Sequence, residues 1–314
     1  MSSWNDLLTE FDRNKNEQAA VNWLRGRQDQ TLGRISERRR NRNVIFYASA
    51  FLQKPQAPPF TLQISHEDIN GFMSVMFGMD WSKGLTLVLH TPGGITNAAE
   101  TVVAYLDSKF DQIEVIIPTF AMSTGTMISL AAENIVMGRQ SQLGPIDPQI
   151  PFGGRLVSAR AIVDQFERAK EEILGDKNVA HVWAPILQTI GPAMLLEAQN
   201  ALDYGERMVA TWLTKRMFNG QADAVSNADK AAKYFNDATE HKSHGRRIDR
   251  EEARGQGIVI EDLEIDQTLQ DAVLTLYHLA TIGFEKGPCS KLIAGSNGRM
   301  WVKNAFDVPV ITKS

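Results

Sequence analysis

Short apolar runs alternate with helical stretches through the middle of the chain, and this alternation restricts the possible folds more than any other feature. The four runs are VIFYA at 44–48, LTLVLH at 85–90, EVIIP at 114–118 and NIVMG at 134–138. Patterns of helical spacing lie at Thr96–Asp107, Thr124–Ala132, Ala159–Leu174, Met194–Met217 and Gln221–Tyr234. Runs as apolar as these are typical of strands buried on both faces. The sequence therefore predicts an α/β fold around a mostly parallel sheet.

Charge and cysteine content narrow the cellular setting. The 314 residues carry 33 basic and 37 acidic side chains, and the net charge of -4 does not favour binding to nucleic acid or to a membrane. An alternative is a nucleic-acid surface built from the arginines at 38–42 with Arg246, Arg247 and Arg250. Cys289 is the only cysteine, which excludes an internal disulfide and a cysteine-based metal site. Without a signal peptide or an apolar run of about 18 residues, we expect a cytoplasmic protein with no membrane insertion.

The two ends of the chain differ from its centre. Residues 4–40 are polar, with apolar positions at helical spacing, and predict a helical N-terminal extension (1–42) outside the core. A helical pattern at Leu269–Ile282 predicts a final docking helix. We therefore divide the chain into this extension, a central domain at 43–285 and a C-terminal tail at 286–314.

A glycine turn, Thr91-Pro92-Gly93-Gly94, follows the run LTLVLH directly and precedes the helix that begins near Thr96. Two glycines between a strand and a helix allow backbone N–H groups to point into a cleft, where they can stabilise an oxyanion. A Pro-Gly-Gly turn is also an ordinary way to reverse a chain, so the turn alone does not distinguish between these roles.

Ser123 lies in the segment PTFAMSTGTMISLAA (118–132), at the point where a strand ends and an apolar helix begins. A nucleophile at a helix N-terminus is close to free N–H groups and to the positive end of the helix dipole, which stabilise negative charge. The alternative is that Ser123 serves only as the N-cap, since serine is a preferred cap residue.

Two polar segments contain candidate partners for a serine nucleophile. Asp147 lies in LGPIDPQ (143–149), whose glycine and prolines favour a fixed carboxylate, although an Asx turn is the alternative. His244 lies in HKSHGRRI (241–248), and histidine is a base whose ordinary pKa is near neutrality. His90 precedes the glycine turn, and we expect it to pack beneath that turn.

The motifs VLHTPGG, AMSTGT and LGPIDPQ, in this order, resemble the clan of the Clp protease proteolytic subunit and signal peptide peptidase A. The closer resemblance is to the serine dehydrogenase proteinase family of that clan, over roughly residues 44–283. It implies a Clp protease/crotonase-like superhelix of β-β-α units. It also implies a serine-type endopeptidase that hydrolyses proteins or peptides through an acyl-enzyme, needs no metal or organic cofactor and forms homo-oligomers. The helix at Met194–Met217 is a candidate for mediating that assembly.

By the same resemblance, the oxyanion hole lies around Ser123. The N–H groups of Gly94 and Thr124, with Gly93 beside them, match the positions that stabilise the oxyanion in the clan. Thr124 departs from the family's pattern, in which we expect glycine after the nucleophile. Its branched side chain would narrow the primary pocket, whereas its backbone N–H would remain.

The triad implied by the family runs in the order Ser123, Asp147, His244, with the histidine as general base and the aspartate orienting it. The histidine of the Clp-type subunit is missing, because its place falls on Asp147. Triads are defined by geometry and not by chain order, so this exchange is chemically permissible. The alternative is a serine-lysine dyad as in signal peptide peptidase A, with Lys170 or Lys242 as base, which would require a buried lysine.

Two other functions stay open on the sequence. One is a crotonase-like acyl-CoA enzyme, which uses a similar sheet and oxyanion hole but has no serine nucleophile. The other is a non-catalytic scaffold or assembly protein that keeps the fold and has lost the activity.

Overall fold

The computed structural model describes residues 3–305. The strands are β1 (Asn43–Ser49), β2 (Leu85–His90), β3 (Ile113–Ile117), β4 (Phe120–Ala121), β5 (Asn134–Met137), β6 (Gln142–Leu143), β7 (Gln149–Phe152), β8 (Arg155–Ser158), β9 (Ile260–Asp262), β10 (Cys289–Gly295) and β11 (Met300–Asn304). The helices are α1 (Trp4–Asp12), α2 (Glu17–Arg38), α3 (Pro59–Leu62), α4 (Asp68–Met76), α5 (Thr96–Asp107), α6 (Thr124–Leu130), α7 (Ala159–Gly175), α8 (Ala180–Ile190), α9 (Pro192–Lys215), α10 (Ala224–Phe235), α11 (Ala238–His241), α12 (Arg250–Gly255) and α13 (Gln267–Lys286).

A seven-stranded sheet forms the centre of the structure, in the order β11-β10-β1-β2-β3-β5-β9. The five strands from β1 to β9 in this order are parallel neighbours, whereas β10 and β11 join antiparallel beside β1. Every residue of β1, β2 and β3 is buried, as expected for parallel strands covered on both faces. The predicted fold class is confirmed. Helix α5 has the predicted bounds, and α6, α7, α9 and α10 begin and end within three residues of theirs.

The N-terminal helices belong to the core, and the prediction that the extension (1–42) lies outside it is wrong. Side chains of β1 alternate between two hydrophobic clusters, with Ile45 facing α4 and α5 and Phe46 facing α2 and α13. Leu32 and Ile35 of α2 are completely buried in the second cluster. The extension is helical, as predicted, but it supplies one of the layers that cover the sheet.

The C-terminal segment also differs from the prediction. Strands β10 and β11 extend the central sheet, so the part of the predicted tail (286–314) between residues 289 and 304 is an integral part of the domain. The sequence pattern did not indicate β10 because two of its residues, Ser290 and Lys291, are polar and nevertheless fully buried. Residues 306–314 lie outside the described residues.

A transverse row of backbone pairs brings the four sequence motifs together. Thr91 pairs with Ala121, Ala121 pairs with Leu143 through the β4–β6 ribbon, and Leu143 pairs with Ile248. The residues of interest lie within four positions of a member of this row: Gly93, Gly94, Ser123, Asp147 and His244. Segments far apart in sequence thus present their motifs side by side.

The hairpin β7–β8 leads from the Asp147 loop into helices α7, α8 and α9. Helix α7 packs on α9 through a small cluster that includes Ile162 and Leu202. Within residues 3–305, no single helix combines the length and the apolar composition needed to cross a membrane. The bent pair Lys177–Ile190 and Ala193–Lys215, which meets at 69°, satisfies these criteria only jointly.

Candidate active site

Ser123 has an unusual backbone conformation. Its φ of 53° and ψ of -118° place a non-glycine residue in a sparsely populated region, between β4 and the first residue of α6. Its side chain makes no capping hydrogen bond to α6, so the N-cap alternative is not supported. Strain of this kind at a sharp strand-to-helix turn is characteristic of the elbow that exposes a nucleophilic serine.

The glycine turn lies directly against Ser123. A Cβ added to Gly93 would lie 2.6 Å from Ser123 Cβ and 3.2 Å from Ser123 Oγ, so only glycine fits there. A Cβ on Gly94 would lie 2.3 Å from the carbonyl oxygen of Ile64. The close approach of three backbone segments therefore requires both glycines.

Two backbone N–H groups remain available for an oxyanion. Gly93 N–H donates to Thr91 Oγ1 at 3.1 Å, which occupies this predicted member of the oxyanion hole. Among residues 3–305, no acceptor is present for Gly94 N–H or for Thr124 N–H. Thr124 is the first residue of α6, where N–H groups have no acceptor within the helix. Gly94 and Thr124 are thus the candidate donors, whereas Gly93 provides clearance.

Asp147 and His244 form a hydrogen-bonded pair. Asp147 Oδ1 lies 2.8 Å from His244 Nδ1, although the two residues are 97 positions apart. The carboxylate side chain is 1% exposed, and its Oδ2 accepts from Gln149 Nε2 at 2.7 Å. The imidazole is 29% exposed. Because the carboxylate occupies Nδ1, it orients the ring and stabilises the tautomer in which Nε2 can accept a proton.

Hydrogen bonds connect the loops that contain Asp147 and His244 to each other and to α6, the helix that follows Ser123. Leu143 and Ile248 exchange two backbone hydrogen bonds of 2.9 Å, which fixes the histidine segment beside the aspartate segment. Thr126 Oγ1 of α6 lies 2.8 Å from the carbonyl oxygen of Ala121 and 2.9 Å from both N and O of Gly144. A buried hydroxyl therefore joins the turn around Ser123 to the loop that contains Asp147.

The structure brings the aspartate and the histidine into contact but does not show a hydrogen bond between Ser123 Oγ and His244 within the described residues. A cavity of about 290 Å³ adjoins the Asp147–His244 pair and reaches the start of α7 and the turn after α11. Its lining includes Arg160, Asp164 and Lys242. Catalytic hydrogen bonds are often long or unformed before substrate binds.

Two other histidines, His90 and His241, lie near the site in the sequence. His90 is fully buried, with its ring against Phe51, Phe120 and Tyr277, and burial lowers its pKa to about 3, which keeps the ring neutral. Its Nδ1 lies 2.9 Å from Thr119 Oγ1. His241 Nε2 lies 2.7 Å from the carbonyl oxygen of Tyr234. His244 is therefore the best candidate for the base in its loop.

The lysines proposed for a serine-lysine dyad do not have the required environment. Lys170 is exposed and pairs with Glu167 at 3.1 Å, and Lys242 is exposed in a left-handed turn. Lys291, in contrast, is fully buried. It pairs with Asp68 at 2.7 Å, and no sequence motif distinguished either residue.

The arginine surface that the sequence left open as an alternative is largely neutralised. Arg39 pairs with Glu114, and Arg250 pairs with Glu264. Arg246 pairs with Glu252. These three guanidinium groups are therefore held in ion pairs, and they do not form an unpaired basic patch.

Known proteins resemble parts of this chain. The uncharacterized proteins MJ0137 and MJ1495 of Methanocaldococcus jannaschii are each 38% identical to it, over 87 and 89 residues. The matched segments cover 28% of this chain, and 30% and 29% of the two relatives, so the chain spans less than a third of the curated relatives it matches. A sequence model described as ClpP-like SDH-type serine proteinase matches residues 27–187, just over half of the chain, including Ser123 and Asp147. The chain therefore belongs to the ClpP-like SDH-type serine proteinase family.

Proposed function

We propose that this protein is a serine endopeptidase that hydrolyses peptide bonds through an acyl-enzyme on Ser123. The observation that carries the proposal is the contact between buried Asp147 and His244, in loops attached to the same row of backbone pairs as the Ser123 elbow. The strained backbone of Ser123 and the available N–H groups of Gly94 and Thr124 support it.

In the proposed acylation step, Ser123 Oγ attacks the carbonyl carbon of the scissile peptide bond and transfers its proton to His244 Nε2. The carbonyl oxygen becomes an oxyanion and accepts hydrogen bonds from Gly94 N–H and Thr124 N–H. Asp147 stabilises the imidazolium through Nδ1. The tetrahedral intermediate then collapses, the C–N bond breaks, and His244 donates the proton to the leaving amine.

Deacylation reverses these roles with water as the nucleophile. His244 Nε2 accepts a proton from water, and the resulting hydroxide adds to the ester carbonyl in the same oxyanion hole. Collapse breaks the bond to Ser123 Oγ, which recovers the proton from His244. The cycle uses side chains and backbone groups of this chain with water as the only co-reactant.

We also propose that the protein self-associates. Several large apolar side chains on α7, α8 and α9 are exposed, namely Leu174, Val182, Ile186 and Leu196. Large apolar side chains left exposed on three consecutive helices favour a protein–protein contact there. Light scattering after size-exclusion chromatography would give the mass of the assembly, and a monomer at micromolar concentration would contradict this part of the proposal.

The cytoplasmic location of the protein stays a prediction from the sequence.

The test of the catalytic proposal is covalent labelling with a fluorophosphonate, read by intact mass and peptide mapping. We expect one adduct on Ser123 in the wild type, none in Ser123→Ala, and strongly slowed labelling in His244→Ala. His181→Ala is the matched control, since His181 is exposed on α8, and it should label at the wild-type rate. Absence of an adduct in the wild type would favour the non-catalytic scaffold, and normal labelling of His244→Ala would exclude His244 as the base.

A further inference from the structure

The segment at residues 63–65 runs beside the glycine turn and fixes the orientation of the peptide group between Gly93 and Gly94. Ile64 N–H donates to the carbonyl oxygen of Gly93 at 2.8 Å, and Ile95 N–H donates to the carbonyl oxygen of Ile64 at 2.9 Å. The carbonyl of Gly93 and the N–H of Gly94 belong to one planar trans peptide and point in opposite directions. The bond from Ile64 therefore directs Gly94 N–H to the side of the turn away from Ile64.

A buried ion pair holds the same segment from its other side. Lys291 Nζ donates to the carbonyl oxygen of Gln63 at 2.6 Å, and Asp68 Oδ2 accepts from Ser65 N–H at 3.1 Å. Lys291 Nζ and Asp68 Oδ1 lie 2.7 Å apart, and both side chains are 0% exposed. Tyr47 OH donates to Asp68 Oδ2 at 2.8 Å. Both peptide groups that flank Ile64 are thus anchored by charged side chains inside the protein.

These contacts form one continuous relay. The carbonyl that accepts from Lys291 belongs to the peptide group whose N–H donates to Gly93, and the Gly93 carbonyl belongs to the peptide group that ends in Gly94 N–H. Hydrogen bonds in such a chain polarise one another in the same sense, which strengthens the last donor. A buried ion pair is seldom a net source of stability compared with apolar packing, so its presence here calls for a role in positioning.

We propose that Lys291 and Asp68 are positioning residues for the oxyanion hole, which orient and polarise Gly94 N–H through the peptide groups on either side of Ile64. The inference rests on the proposed function, because that function makes Gly94 N–H an oxyanion donor. It extends the site to β10 and α4, which contain none of the residues of the triad.

The test compares variants of this pair with a buried pair elsewhere. Lys291→Met alone leaves a buried carboxylate without its partner and can fail to fold, so the main variant is the double substitution Lys291→Met/Asp68→Asn. The matched control is Glu114→Gln, which disrupts the buried Arg39–Glu114 pair at the start of β3. Circular dichroism and size-exclusion chromatography establish that each variant is folded.

The kinetic readout is hydrolysis of p-nitrophenyl acetate together with the rate of fluorophosphonate labelling. For the double variant we expect kcat and the labelling rate to fall about tenfold or more, with KM within about twofold, because an oxyanion donor acts mainly in the transition state. The pH profile should keep its shape, since Asp147 and His244 are untouched. Glu114→Gln should retain the wild-type kcat. Wild-type kcat in the folded double variant would overturn the proposal.

Hydrogen–deuterium exchange separates this inference from the proposed function. We expect faster exchange of the Ile64 and Ile95 amides in the double variant and not in Glu114→Gln, whether or not the enzyme is active. If the wild type neither labels nor hydrolyses the ester, the proposed function fails, and exchange alone decides the positioning role. Unchanged exchange at both amides would overturn that role.

Discussion

The carboxylate of Asp147 lies 2.8 Å from Nδ1 of His244 and is almost completely buried, whereas the imidazole is partly exposed. A carboxylate fixed in this way by Gln149 on one oxygen and by histidine on the other has the environment of an orienting group, not of a solvated turn residue. The order Ser123, Asp147, His244 along the chain, which differs from the order in the Clp-type subunit, is therefore compatible with the aspartate–histidine pairing that a triad requires.

The Asp147→Asn variant tests whether Asp147 orients His244 and sets its tautomer. An asparagine amide in this position favours the tautomer in which Nδ1 accepts and Nε2 carries the proton, so His244 could not act as base. We expect kcat/KM to fall by about 10³- to 10⁴-fold with the fold preserved. Steady-state ester or peptide hydrolysis measures this effect. Asp164→Asn, which changes another carboxylate of the same cavity, should stay within about threefold of wild type.

Gly93→Ala should damage both stability and activity. The residue has a φ of 100°, and a methyl group there would lie 2.7 Å from the carbonyl oxygen of Met122 and 2.6 Å from Ser123 Cβ. We expect the free energy of unfolding to fall by about 2 kcal/mol and labelling of Ser123 to slow about a hundredfold. Urea denaturation and labelling kinetics measure the two effects. Gly78→Ala is the control, since Gly78 has a φ of 81° with open space around it and should lose stability alone.

Thr124→Val tests whether the oxyanion donor is the backbone N–H or the side chain. Thr124 Oγ1 is buried and has no hydrogen-bond partner among the described residues, so the hydroxyl contributes little to the site. Valine keeps the shape and the N–H, and we expect kcat within about threefold of wild type and equal or higher stability. A loss of kcat above about thirtyfold would show that the hydroxyl itself takes part.

The Arg39–Glu114 pair should make stability depend on pH. Burial raises the pKa of the Glu114 carboxyl, but hydrogen bonds from Arg39 and Thr86 outweigh burial and hold the pKa below its ordinary value of 4.5. A carboxyl with a lowered folded-state pKa contributes stability above its unfolded pKa and loses it as the pH falls through the folded pKa. Glu114→Gln should therefore cost about 3 kcal/mol at pH 7, measured by urea denaturation. The difference from wild type should shrink as the pH falls below 4.5 and through the lowered pKa of Glu114, and a constant difference would contradict the assignment.

Local pattern was enough to predict the parallel sheet and most of the helices around it. The strand β2 and the helix α5 have the predicted bounds because a continuous apolar run and a regular helical spacing are local signals. Strand β10 escaped prediction because its burial of Lys291 depends on Asp68, more than 200 positions away in the sequence. Long-range pairing of this kind leaves no trace in the spacing of apolar residues.

In the candidate site, too, some features could be predicted from the sequence and others could not. The motifs indicated Ser123, Asp147 and His244, but no local pattern predicted the positive φ of Ser123. The role of Ile64 beside Gly94 was also hidden, since an isoleucine that acts through its backbone has no sequence signature. The pairing of Ser123 with His244 therefore had to be inferred from a family resemblance, whereas the structure gives the geometry of the Asp147–His244 pair.

The most direct test of the proposed site is a crystal structure of the wild type after reaction with a fluorophosphonate. We expect phosphorus bonded to Ser123 Oγ, with the phosphoryl oxygen about 2.7–3.1 Å from both Gly94 N and Thr124 N. We also expect His244 Nε2 within hydrogen-bond distance of an oxygen of the adduct, with Nδ1 still on Asp147. An adduct on another residue, or a phosphoryl oxygen that points to solvent with His244 turned away, would rule out the proposed site.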